Sequence, residues 1–110
     1  TGIAFFTINE RPSMALRFTR KVSLPVAAIG IVLLDSDRAG VVYLGVLSER
    51  EVALLCLDGT TGAVIGTTTL PANDMPEETF RDFAVQDEGG VVYSARDEKG
   101  TSLLHADCRR

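Results

Sequence analysis

A chain of 110 residues has the length of one ordinary domain and can bury about 65% of the surface its unfolded form exposes. A hydrophobic share of 45% beside 24% charged residues excludes a disordered chain. The formal charge of −4 argues against nucleic acid, because phosphate binding needs clustered Lys and Arg, and neither Arg17, Arg20 and Lys21 nor Arg109 and Arg110 make a patch.

Apolar periodicity predicts strands throughout. In chain order the runs are "GIAFFTI", "SMALRFT", "AIGIVLL", "GVVYLGVL", "EVALLCL", "AVIGTTTL", "FRDFAV", "GVVYSA" and "TSLLHA", all short and rich in β-branched or aromatic residues. Turn chemistry separates them: "NERPS", "DSDRAG", "SERE", "DGTTG", "DEGG" and "DEKG" carry the Asp, Asn, Ser, Gly and Pro of tight turns. The one long linker, "PANDMPEET" at 71–79, has room for a single helical turn. At least half of the residues are therefore expected in antiparallel strands, with no helix longer than about eight residues.

The stretch "RKVSLPVAAIGIVLLD" places basic residues before an apolar run, like a signal peptide. It is too short for a transmembrane helix, which needs about 20 apolar residues, and it follows strand-like sequence. It is read as a buried strand, and no membrane span is expected.

The chain also matches itself. "DRAGVVY" (37–43) returns as "DEGGVVY" (87–93), an offset of 50. Leu54-Leu55 matches Leu103-Leu104, and Asp58 matches Asp107, at 49. Gly2-Ile3-Ala4-Phe5 fits Gly40-Val41-Val42-Tyr43, Ala15-Leu16 fits Ala53-Leu54, and "SLP" at 23–25 fits "TLP" at 69–71. A period of about 40–50 residues with four short strands is the signature of a β-propeller blade. A meander sheet buries both faces only by stacking on its neighbours, which explains an inner strand, "AIGIVLL", that is apolar at nearly every position. With the strands of a blade lettered A to D from the inside out, the chain reads B-C-D, A-B-C-D, A-B-C. The divisions are a partial blade 1–25, a full blade 26–70 and a partial blade 71–110. Val41 with Val91, and Tyr43 with Tyr93, are expected at superimposable positions.

"LDGTTGAVIG" (57–66) resembles the C-to-D hairpin of the pyrroloquinoline-quinone-type propeller repeat through Leu57, Asp58, Thr61 and Gly62. Gly66 stands where that family has its docking Trp, and the chain contains no Trp. The resemblance speaks for fold more than for function.

Candidate chemistry is sparse. Asp35-Ser36-Asp37-Arg38-Ala39-Gly40 begins like a calcium loop, but Ala39 and Val46 stand where ligands are needed. His105 is the one histidine; Ser102 and Asp107 lie near it in sequence without a nucleophile elbow. Asp74, Glu77, Glu78 and Asp82 offer a paired-carboxylate site, weighed against solvated loop acids. Cys56 reads as a buried apolar residue, and Cys108 as the better candidate for a bridge, to Cys56 or to a cysteine outside the chain. No residue is assigned a catalytic, cofactor or metal role.

The expected function is a non-catalytic propeller segment serving as a protein-binding or scaffolding surface. The alternative is a fragment of a larger quinoprotein-like oxidoreductase whose active site lies outside this chain. Two and a half blades leave apolar end faces bare, so the expected partners are the remaining blades of a longer polypeptide, a protein partner or further copies of the chain. A bacterial periplasm or cell surface is the favoured compartment.

Overall fold

A computed structural model describes residues 3–10, 15–23, 29–73 and 82–109, the first two segments as backbone alone. Nine antiparallel strands appear there, one for each apolar run: β1 (Ile3–Glu10), β2 (Ala15–Ser23), β3 (Gly30–Ser36), β4 (Val41–Leu47), β5 (Glu51–Asp58), β6 (Val64–Pro71), β7 (Phe83–Val85), β8 (Val91–Asp97) and β9 (Gly100–Ala106). They form three open sheets, β1-β2, β3-β4-β5-β6 and β7-β8-β9, each a meander of sequential neighbours. More than half of the chain is strand, and no α-helix occurs among the described residues. The linker at 71–79, considered for a helical turn, lies outside them from residue 74 onward.

Strand alternation divides the four-stranded sheet into two faces. Tyr43, Leu47, Val52, Leu54 and Cys56 point one way and join Val91, Tyr93, Ala106 and Cys108 of the next sheet in one buried cluster. Leu44, Val46, Ala53, Leu55 and Leu57 point the other way and form a second. β4 and β5 are thus buried on both faces. The inner strand β3, expected to be so, is not: Ile31 and Leu34 are 58% and 62% exposed, and Ile29 just before the strand is 67% exposed. Both faces of a strand are dry only where a sheet lies on each, and no described residue covers these three.

The repeat is real, but its register differs from the letters. Asp37 N–H donates to the Val41 carbonyl as Gln86 N–H does to that of Gly90, and Gly40 N–H donates to Asp37 as Gly89 N–H does to Gln86. Leu44 pairs with Leu34 and Leu55 as Tyr93 pairs with Phe83 and Leu104. Every counterpart lies 49 residues on (93 − 44), not 50. Val91 is therefore the counterpart of Val42, and Tyr93 that of Leu44, so the expected equivalence of the two "GVVY" segments fails by one residue. The cause is Gly90, which occupies the place of Val41 and delays the second strand. A slip of one turns every side chain to the opposite face. Tyr43 consequently points forward and Tyr93 backward, into the same seam.

Before residue 24 the reading expected three strands, B-C-D; the described residues hold two. No helix among the described residues is long and apolar enough to cross a membrane.

Candidate functional site

The densest chemistry lies in the seam between the second and third sheets. Asp37 opens the β3–β4 turn, and its side chain is fully buried. The Val41 N–H donates to its Oδ1 (3.0 Å) and the Tyr43 hydroxyl to its Oδ2 (2.8 Å). Tyr43 in turn accepts from the Gly90 N–H at 2.9 Å, joining the sheets. Burial above all, with the Asp37 carboxylate beside it, raises the Tyr43 phenol above its ordinary range, although the Gly90 bond works the other way. Arg109 reaches within 4.0 Å of Asp37 and donates to the Glu88 carbonyl and to Asp107. The Arg109 guanidinium holds the Asp107 carboxyl down to about 2.

A disulfide, Cys56–Cys108, crosses the same seam with its Cα atoms 5.6 Å apart. Of the two mates left open for Cys108, the one in this chain is taken. Cys56 is buried, as expected, but as half of a bridge.

The other end of the seam rests on Tyr93. Its hydroxyl donates to the Pro71 carbonyl at 2.7 Å, and its ring stacks on Phe83 at 4.5 Å. Burial, then the charge of Asp82, raises this phenol too. β7 has only three residues, and Asn73 serves β8 beyond the last β7 pair: its side-chain amide donates to the Ser94 carbonyl and accepts from the Arg96 N–H. Asn73 also donates to Asp82, which holds Arg96 through both carboxylate oxygens at 2.6 and 3.1 Å. The sequence reading missed Asn73; its one sign is an amide among linker prolines.

The sequence candidates are not brought together. Asp35 accepts from the Ser36 N–H and sits on β3 opposite Tyr43, while both Asp37 oxygens face hydrogen donors, so the calcium-like run is a turn. His105 meets Gln86 at 2.8 Å. Ser102, three residues away on β9, points to the other face, and Asp107 is held by Arg109. Asp82 is committed to Arg96; Asp74, Glu77 and Glu78 lie outside the described residues. Among the described residues no group of His, Cys, Asp and Glu could hold a metal ion. A groove of about 350 Å³ runs between the 37–41 and 58–62 turns, lined by Gly40, Asp58, Gly59, Thr60 and Ile65, with one charged group to orient a ligand.

The "LDGTTG" segment is the hairpin between β5 and β6. Asp58 Oδ1 accepts from the Thr60 and Thr61 N–H groups, Thr61 Oγ1 from Ala63, and Gly62 takes φ 78°. Each motif residue with a polar role thus serves the turn. Protein-family models, curated proteins and solved structures yield no match to this chain.

Proposed function

We propose that the chain is a non-catalytic segment of β-propeller type whose stacked sheets form a scaffold that binds protein. Two features support the propeller reading. The units are sequential meanders, and the inner strands β3 and β7 lie beside each other while the sheets stack back to front. The observation that carries the binding role is the exposed apolar stripe of Ile29, just before β3, with Ile31 and Leu34 on it. Its counterpart shows how such a stripe is covered. Phe83 takes the place of Leu34 in the third sheet, and it packs into the seam against the sheet that β3 opens. The stripe fits the inner strand of a further sheet of the same kind, from the remaining blades of a longer polypeptide or from a partner of like architecture. Exposed apolar patches on soluble proteins commonly mark such interfaces. The buried bridge favours an oxidising compartment such as the periplasm or the cell surface. The quinoprotein-like oxidoreductase reading draws no separate support from the described residues.

Light scattering and ANS fluorescence on the 110-residue chain at tens of micromolar test this reading. Concentration-dependent association and ANS binding are expected, both reduced when Ile31→Lys and Leu34→Lys are combined. A compact monomer silent to ANS overturns it.

A further inference from the structure

Residues 107–109 lie over the inter-sheet seam, and three contacts hold them there. Cys108 is bonded to Cys56 of β5 and is 2% exposed. Arg109 donates to the Glu88 carbonyl and approaches Asp37. Its guanidinium sits so close over Gly89 that a side chain there would collide with it. Beneath lie the buried Asp37 carboxylate and the Tyr43–Gly90 bond that joins the sheets.

The contacts differ in kind. Apart from the bridge, the segment is held by Arg109, whose side chain is 36% exposed; the bonds of Asp107, 33% exposed, run to Arg109 within the segment itself. Ion pairs open to solvent contribute little. The covalent bond is thus what keeps the segment down, whereas Cys56 is fixed independently by the ladders of β4 and β6 and by its apolar neighbours. We propose that 107–109 is a disulfide-latched strap, and that thiol–disulfide exchange with a dithiol reductant opens it and uncovers the Asp37–Tyr43 pair while the three sheets stay folded. This stands on the geometry of the seam alone and holds whether or not the chain is a propeller segment.

The exchange balances within the reactants named. One thiolate of the dithiol attacks Cys108 Sγ and forms a mixed disulfide; the Cys56–Cys108 bond breaks, and Cys56 leaves as a thiolate that takes up a proton. The second thiol then attacks the first reductant sulfur and releases Cys108, also protonated. Two electrons and two protons pass to the bridge, and the reductant ends as its own disulfide. Burial of both sulfurs makes the first attack wait on fraying of the strap.

The test compares the oxidised full chain with the same chain reduced by dithiothreitol, by differential alkylation with iodoacetamide and by hydrogen exchange. After reduction Cys108 should alkylate at least about tenfold faster than Cys56, because the strap opens far more readily than β5, which is paired on both sides. Exchange at 86–90 should rise to near the unprotected rate, while the β4–β5 ladder stays protected and quickens only by the global destabilisation that losing the bridge brings. Cys108→Ser should reproduce the exchange pattern without reductant. Equal alkylation of the two cysteines, unchanged exchange at 86–90, or complete loss of protection across all sheets on reduction would each overturn the proposal, the last by showing that the fold does not survive without the bridge.

Discussion

Tyr43 shows how one residue can tie local turn, seam and stability together. Its ring fills the space between two sheets while its hydroxyl donates to a carboxylate with no access to water and accepts from Gly90. Removing that hydroxyl deprives Asp37 of a donor and Gly90 of an acceptor inside the protein, and buried polar groups left unpaired cost about 1–3 kcal/mol. Tyr43→Phe should therefore lower stability by about 1–3 kcal/mol in urea unfolding; a loss near zero would mean that water reaches Asp37. The two phenols also set a pH limit. Burial raises both Tyr43 and Tyr93, so their neutral forms are favoured by folding. That contribution is complete below the unfolded value near pH 10 and disappears as pH rises through the raised values. With no Trp in the chain, tyrosinate absorbance reports them directly. Ionisation of both rings is expected above pH 10 and together with unfolding; two tyrosinates appearing in a folded protein at pH 10 would contradict the seam. Asp107 acts at the opposite end of the scale. Its depressed carboxyl contributes above about pH 4 and loses its effect as pH falls through about 2, a small term because the pair is open to solvent.

Element by element, all nine strands were legible because each is short, β-rich and bounded by turn residues, and hairpins between sequential neighbours leave little freedom. Register was not, and the reason is specific. Matching letters aligned Gly40 with Gly90, but the turn is counted from its hydrogen bonds, and it is Gly89, at φ 111°, that repeats Gly40 at φ 92°. The weaker match of Leu54-Leu55 with Leu103-Leu104 had the right offset all along. The same limit hid the seam. Asp37 looked like a metal ligand because a turn Asp and a calcium-loop Asp share their sequence neighbourhood; only the placement of Tyr43 six residues later distinguishes them. The cysteine pairing was open for a similar reason, since 52 residues separate the two and only stacking of the sheets brings them together. That separation gives the bridge its leverage on the unfolded chain. By the chain-entropy account a loop of this size is worth about 4 kcal/mol, and measured losses are typically about 2–4 kcal/mol. Cys108→Ser should lower stability by the corresponding amount in urea unfolding in oxidising buffer, with a steeper denaturant slope because the uncrosslinked unfolded chain exposes more surface; unchanged stability would show that the bridge does not form in solution.

Across the whole molecule the stack has two unlike ends. The forward face of the second sheet is apolar, with Tyr43, Leu47, Val52, Leu54 and Cys56, and the third sheet covers it. Moving 49 residues on gives the forward face of the third sheet: Val92, Arg96, Thr101, Leu103 and His105. Arg96 stands for Leu47, Thr101 for Val52 and His105 for Cys56, so this face is largely polar, unlike the bare apolar face that a cut propeller was expected to show. A polar outer side is the chemistry that stacked repeats use where a sheet meets water. Ile31 and Leu34 on β3 have no such dressing, and the exposed apolar surface at that strand is larger than on the forward face of the third sheet. Leu54 and Leu103 are counterparts in the two sheets, one fully buried and the other 74% exposed, and they measure the difference. Leu54→Ala should cost about 2–5 kcal/mol, since a cavity opens in a closed seam. Leu103→Ala should stay within about 0.5 kcal/mol, since an exposed side chain loses little. Urea unfolding of the two variants at the same low protein concentration compares them without interference from association. Comparable losses would mean that Leu103 is covered in solution and that the polar face is an interface after all; the predicted asymmetry would mean that this face stays open to water in solution, as Leu103 is in the structure.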